Sequence, residues 1–222
     1  MSCFSLKKMN TGRTMNKLSQ ILAVTALAIG TSFFSSCNTA SSGSSSGSAF
    51  SFDPPVTQPT NRSAVRVAIS TSAQKMYILE GDKVLLASPV AVGKSATPTP
   101  KGTHRITAKT KFRRRQSQPG RGYPMTYWMS FYSPAYGMHW GFVKPFPCTA
   151  GCVRMPLNTA RKAFGIVSVG TKVNVATSQP WDATVGKSLP RLDDSSLPNP
   201  PASYMKSQKV FQDAEKGKMW NF

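Results

Sequence analysis

The feature that most constrains this chain is a period-two alternation of apolar residues that begins at Val65. Val65, Val67 and Ile69 stand at every second position, which is typical of a β-strand with one face in a core. Two apolar runs, at 76–79 and 84–86, then flank a Glu-Gly-Asp-Lys turn. Runs placed in this way predict a β-hairpin.

Further short β-like runs follow, separated by Gly and Pro residues, at 90–92, 105–109, 125–131, 137–139 and 172–176. One helix is predicted, over 157–166, because Pro156 stands at a position compatible with a helix start. Many short strands with turns between them indicate a mainly β fold, a β-sandwich or open barrel with one short helix.

The first 36 residues are typical of an export leader. A basic region at 7–17 precedes an apolar run at 18–34, and that order marks a removable signal peptide. The run is interrupted by polar residues and is shorter than the roughly 20 apolar residues of a membrane span. We therefore expect an exported, periplasmic protein without a permanent transmembrane helix.

The leader ends in Phe34-Ser-Ser-Cys37, which resembles the lipobox of bacterial lipoproteins. The resemblance implies acylation of Cys37, and Asn38 after it favours the outer membrane, so membrane contact would be through this lipid anchor alone. Ordinary cleavage near Ala40, with Cys37 incidental, is the alternative.

Composition divides the rest of the chain into three parts. Residues 37–62 are rich in Ser, Gly and Pro and predict a tether that holds no core of its own. Residues 63–177 contain the predicted strands and form the expected catalytic domain. Residues 178–222 form a Pro- and Ser-rich tail that could end in a short amphipathic helix over 203–222.

The chain is strongly basic, with a formal net charge of +20, so it should favour polyanions. Its local basic cluster consists of Lys109, Lys111, Arg113, Arg114, Arg115 and Arg121. Export and the absence of a recognisable nucleic-acid module argue against nucleic acid as a partner. An anionic cell wall or membrane surface fits better, and a solvated charged loop is the simpler interpretation.

Two scarcities exclude several classes of enzyme. No Asp or Glu occurs between Asp82 and Asp182, which argues against a paired-carboxylate glycosidase and a carboxylate-bridged metal site. The only histidines are His104 and His139, so a three-histidine zinc site is impossible. A mixed site that adds Cys148 and Cys152 matches no common zinc spacing.

The remaining reactive pair is a cysteine with a histidine. His139 lies on a predicted strand, thirteen residues before Cys152 in a Gly-Cys turn. An imidazole that accepts the thiol proton, with positive potential from Arg154, would activate the cysteine. Gly151 allows a sharp turn that presents backbone N–H groups to an oxyanion. Cys148 could pair with Cys152 in a small-loop disulfide, but a nucleophilic role for Cys152 favours the free thiol.

The motif Thr149-Ala-Gly-Cys152-Val-Arg-Met155 and the upstream loop Thr97-Pro-Thr-Pro-Lys-Gly-Thr103 resemble those of the YkuD-type L,D-transpeptidases of bacterial cell walls. The resemblance covers about residues 65–177 and implies a YkuD-like fold. It implies Cys152 as nucleophile and His139 as base, with the backbone carbonyl of Trp140 orienting the base.

One position departs from the family pattern: Ala150 stands where the motif usually has a second histidine. By resemblance that histidine is supporting, so its loss bears more on efficiency or substrate handling than on mechanism. The same resemblance makes Arg154 and Thr149 candidate substrate contacts.

By the same resemblance, the substrate is the peptidoglycan stem peptide, from which D-Ala is expelled. The acceptor could be the amine of a second stem, a lysine of another protein, or water. A thioester route needs neither a metal nor an organic cofactor. A non-catalytic peptidoglycan-binding lipoprotein of the same fold is the alternative function.

Overall fold

The computed structural model describes residues 48–118, 120 and 122–218. The predicted leader at 1–36 and the predicted acylation site Cys37 lie outside the described residues. In the described ranges, no helix has both the length and the apolar character needed to cross a bilayer.

Eight strands form one sheet in the order β3-β2-β1-β8-β4-β5-β6-β7. Their bounds are β1 Val65–Ser70, β2 Lys75–Glu80, β3 Lys83–Pro89, β4 Gly102–Thr110, β5 Trp128–Phe131, β6 Gly137–Trp140, β7 Val153–Met155 and β8 Lys172–Ala176. The pairs β1–β8 and β6–β7 are parallel, and the other neighbours are antiparallel.

The sheet curves until its two edges meet. Ala91, just beyond β3, and Arg154 on β7 exchange two backbone hydrogen bonds, each 2.9 Å long. This contact nearly closes the sheet into a barrel and satisfies edge groups that would otherwise remain unpaired. The prediction of a mainly β fold of sandwich or open-barrel type is confirmed.

Helix α1 spans Leu157–Ile166, the range predicted from the sequence. Its buried face, which includes Leu157, Ala160 and Ala163, packs in the same core as strand residues such as Val67 and Met138. Two further short helices, α2 (Ala202–Lys206) and α3 (Lys209–Glu215), lie in the tail, where the sequence suggested a single one.

The tail covers the outer face of the sheet, although the sequence suggested that the domain ends near residue 177. Trp181 packs with Tyr77 in a second apolar cluster. Asp182 accepts hydrogen bonds of 2.7 Å from the hydroxyls of Tyr77 and Ser70. Because these contacts reach β1 and β2, residues after 177 are part of the same packed unit.

Part of the predicted tether also lies on the domain. Thr57 donates its backbone N–H to the Leu85 carbonyl at 2.8 Å, and Asp53 pairs with Lys162 of α1 at 2.7 Å. Further upstream, buried Asp194 of the tail accepts the Ala49 N–H at 3.0 Å. Residues 48–61 therefore follow the surface of the barrel instead of extending away from it.

Candidate active site

A cavity of about 450 Å³ opens where β6 and β7 meet the loop before β5. It brings together four of the residues singled out from the sequence, Cys152, His139, Thr149 and Arg154, with Ala150 beside them. Its other lining residues are Arg113, Arg115, Gln116, Ser117, Tyr123, Met125, Trp128, Ala135 and Tyr136. None of these side chains carries a carboxylate.

Parallel pairing of β6 with β7 brings His139 and Cys152 into the same cavity. His139 is in register with Arg154, and Cys152 immediately precedes β7. Because paired residues in a sheet project to the same face, these side chains enter one cavity although thirteen residues separate His139 from Cys152 in sequence.

The His139 ring has a defined tautomer. Its Nδ1 lies 2.6 Å from the backbone oxygen of Trp140, and a carbonyl can only accept, so Nδ1 carries the proton. Nε2 is therefore left with a lone pair. Burial, and next the positive charge of Arg154, lower the pKa of His139 to about 3. The imidazole is thus a neutral acceptor of protons at pH 7.

The Cys152 sulfur lies among backbone groups. It is 3.7 Å from the Ala135 carbonyl, and the Gly137 N–H donates to it. Burial raises the pKa of the thiol, while the Gly137 hydrogen bond and the charges of Arg154 and Arg113 oppose that rise. Thiol and imidazole are consequently both neutral at rest.

A Thr-Gly turn fixes the position of Cys152. The Thr149 hydroxyl donates to the Cys152 carbonyl at 2.6 Å and accepts the Gly151 N–H at 3.1 Å. Gly151 has φ +107°, and a Cβ there would lie 2.5 Å from the Tyr136 ring. Both groups proposed for ligand contact, the Thr149 hydroxyl and the Gly151 N–H, are therefore bonded to each other in this state.

Arg154 is half-buried along the cavity wall. Its guanidinium carbon lies 5.7 Å from the centre of the Tyr123 ring. Gly141 makes room for its side chain, because a Cβ at Gly141 would come within 2.9 Å of the arginine Cδ. This packing fixes a positive charge beside the reacting groups.

His104 and Cys148 lie outside the cavity. His104 Nε2 is 3.1 Å from the Pro100 carbonyl, and the ring packs against Phe131 and Tyr132. Cys148 packs in a small apolar cluster with Ala91, Val143, Ala49 and Leu192. Both cysteines of the domain are free thiols. Within the described ranges, no three His, Cys, Asp or Glu side chains cluster as metal ligands.

Sequence reasoning missed the role of Arg113 and Arg115 in lining this cavity. It grouped them with neighbouring basic residues as a polyanion contact or a solvated loop. The available signal was alternation, because Phe112-Arg113-Arg114-Arg115 in an extended segment would separate odd from even positions.

Comparison with known proteins gives one family. The model of the YkuD L,D-transpeptidase catalytic domain matches residues 64–175, half of the chain. A YkuD protein of Bacillus licheniformis, itself assigned as an L,D-transpeptidase only provisionally, is 31% identical over 115 residues. A protein of Bacillus subtilis with the same name is 31% identical over 113 residues. These matches cover 50% and 49% of this chain and 64% of each relative.

Solved structures of L,D-transpeptidases are similar to parts of the chain. The enzyme from Stackebrandtia nassauensis has 19% identity and a TM-score of 0.46, with 56% of this chain and 60% of that one covered. The enzyme from Enterococcus faecium has 25% identity and a TM-score of 0.46, with 51% and 50% covered.

Proposed function

The chain belongs to the YkuD family of L,D-transpeptidase catalytic domains, and from this premise we propose that it is a cysteine acyltransferase acting on the peptidoglycan stem peptide. Cys152 is the nucleophile and His139 its general base. The donor is a tetrapeptide stem that ends in D-Ala, and the product of the first half-reaction is a thioester. The acceptor is a stem amine, a protein lysine or water.

Proton transfer accompanies attack in the first step. Nε2 of His139 takes the thiol proton while the Cys152 sulfur bonds to the scissile carbonyl carbon. As the tetrahedral intermediate collapses, the C–N bond breaks and the imidazolium returns the proton to the departing amine of D-Ala. An acceptor amine or water then attacks the thioester, His139 takes its proton, and the thiolate leaves as the regenerated thiol.

The charge of the cavity favours the intermediate. Burial and the charges of Arg154 and Arg113 lower the pKa of His139, and the same two charges oppose the burial that raises the pKa of Cys152, because a positive field stabilises anions and opposes cations. An oxyanion formed beside Cys152 has the favoured sign. If Gly151 contributes its N–H to that oxyanion, as the sequence suggests, the N–H must first leave the Thr149 hydroxyl.

One observation carries this proposal: the hydrogen bond from His139 Nδ1 to the Trp140 carbonyl. It leaves Nε2 unprotonated in the cavity that contains the Cys152 thiol, and no carboxylate lines that cavity to act as base instead. The oriented imidazole is thus the one available general base among the residues that line it.

A carbapenem provides the test, because its strained amide acylates an activated thiol. We expect the intact mass of the purified domain to increase by one carbapenem. Cys152→Ala should abolish the adduct and Cys148→Ala, the matched thiol control, should retain it. An adduct on Cys148 would contradict the assignment of Cys152 as nucleophile. The absence of an adduct on the wild type would favour the non-catalytic peptidoglycan-binding alternative.

We also propose that the mature protein is exported to the periplasm and anchored through acylated Cys37. The Ser-Ser-Cys end of the leader supports this, since several acyl chains on one residue give stable membrane attachment. Cys37→Ala should move the protein from the membrane to the soluble fraction. Unchanged fractionation would exclude the lipid anchor.

A further inference from the structure

Residues 111–115 and 123–127 form a two-stranded ribbon beside the catalytic cavity, named here the arginine ribbon. Its backbone bonds join Met125 N–H to the Arg113 carbonyl at 2.7 Å and Arg115 N–H to the Tyr123 carbonyl at 3.0 Å. Successive side chains in such a ribbon project to opposite faces. In the sequence Phe112-Arg113-Arg114-Arg115, the odd-numbered and even-numbered side chains therefore lie on opposite faces of the ribbon.

The even-numbered face is directed at the C-terminal helices. Arg114 donates to the backbone oxygens of Met205 at 2.6 Å and Ser207 at 2.9 Å, and its guanidinium lies 4.7 Å from the centre of the Phe211 ring. The Phe112 ring is 5.4 Å from the same phenylalanine. This face is occupied by contacts within the chain.

The odd-numbered face is directed at the catalytic cavity. Arg113 and Arg115 line that cavity and also a neighbouring, more open cavity of about 550 Å³. The second cavity is otherwise lined by Thr110, Arg114, Gln116, Gly120 and Gln208. The residues that line both cavities are thus Arg113, Arg115 and Gln116, and two of these three carry a guanidinium group.

Charge compensation for this pair is missing among the residues that the structure describes. Neither cavity is lined by an Asp or Glu, and the ion pairs of the described ranges involve other cations. Arg113 is nevertheless held in place, because it donates to the Pro134 carbonyl at 3.0 Å and lies 4.0 Å above the Trp128 ring. An oriented, partly buried guanidinium without a counter-ion is suited to an anionic ligand.

We propose that Arg113 and Arg115 form a carboxylate-binding subsite for the peptide substrates at the border of the two cavities. The proposal rests on the function proposed above, because a peptide donor ending in D-Ala carries a carboxylate close to the scissile bond. The planar fork of a guanidinium matches a carboxylate with two parallel hydrogen bonds. A carboxylate of the acceptor peptide has the same chemistry and is the second possible source.

Equilibrium binding to Cys152→Ala protein tests the subsite without turnover. The ligands are a stem tetrapeptide with free carboxylates and the same peptide with its C-terminus amidated, measured by calorimetry. We expect Arg115→Gln in this background to weaken binding of the free acid about tenfold and to leave binding of the amide unchanged. Arg105→Gln, an exposed arginine on β4 that bonds the Gly170 carbonyl, is the matched control and should change neither affinity.

The same titration with an acceptor peptide, free or amidated, identifies the source of the carboxylate. A tenfold effect confined to the acceptor would assign the subsite to that peptide. Equal losses for acid and amide, no loss for any peptide, or no peptide binding by the parent protein would overturn the proposal. Failure of the proposed function would be recognised separately. In that case the carbapenem would form no adduct with Cys152 of the wild type, even if the peptides bind in the titration.

Discussion

The two walls of the candidate catalytic cavity are built in different ways. The strand wall, His139 on β6 and Cys152 before β7, lies within the barrel, and every residue of β6 is buried. The opposite wall, the arginine ribbon, is largely exposed around Arg115 and is held from outside by helices α2 and α3. One wall is therefore fixed by the sheet itself, whereas the other depends on contacts with the C-terminal tail.

The strand wall should show the largest effects. We expect Cys152→Ala to abolish D-Ala release from a tetrapeptide and His139→Ala to reduce it by about 10²–10⁴-fold. Partial recovery of His139→Ala is expected only at alkaline pH, beyond the ordinary range of a cysteine thiol, because burial raises the pKa of Cys152. His104→Ala, outside the cavity, should retain activity. A dead His104→Ala with an active His139→Ala would reverse the assignment of the two histidines.

The Thr-Gly turn should be almost as sensitive. Gly151→Ala places a methyl group against Tyr136 at a backbone φ of +107°, so we expect about a hundredfold loss of kcat/KM, in line with a displaced nucleophile. Gly165→Ala is the matched control. Its Cβ meets nothing within 4 Å, and in helix α1 alanine should stabilise the protein by about 0.5–1 kcal/mol. Equal activity of the two variants would show that the turn tolerates a side chain.

The two walls also differ in how far the sequence could predict them. Helix α1 has the predicted bounds, and the signal for it, Pro156 at the helix start, is local in sequence. The Thr149–Met155 motif predicted Cys152 and Arg154 as site residues from local sequence, whereas His139 was predicted because the chain has only one other histidine. Arg114 and Met205 are 91 residues apart, and no local pattern links them. The hydrogen bond from Tyr77 to Asp182 could not be predicted for the same reason, because 105 residues separate the two.

Loosening the arginine ribbon from behind should have a moderate effect. Arg114 contacts the tail and not the reacting groups, so it acts by positioning Arg115. We expect Arg114→Ala to raise KM for a free-carboxylate donor about fivefold to tenfold, with little change in kcat. Combined with Arg115→Gln, it should add little, because both changes disable one subsite. An additive loss, or a loss in kcat alone, would contradict a positioning role.

The smallest expected effect is the pH dependence of the free energy of unfolding, to which His139 of the strand wall contributes. Burial lowers the pKa of His139 to about 3, whereas the pKa of a histidine in an unfolded chain is about 6.5. Between these values the unfolded chain binds more protons, so the free energy of unfolding falls as the pH falls, by at most about 1.4 kcal/mol per pH unit from this group. The contribution is complete above about pH 6.5. The ribbon strands 111–115 and 123–127, in contrast, contain no His, Asp or Glu.

His139→Gln removes the titrating group, so its free energy of unfolding should decline less steeply than that of the wild type between pH 6.5 and 4, measured by urea denaturation. Hydrogen bonds lower the pKa values of Asp182 and Asp213, so their contributions to the free energy of unfolding also fall as the pH falls. These contributions are the same in both proteins and cancel when the two are compared. Parallel declines for wild type and His139→Gln would mean that the strand wall admits a proton to His139 without unfolding, and the buried neutral imidazole on which the mechanism depends would have to be abandoned.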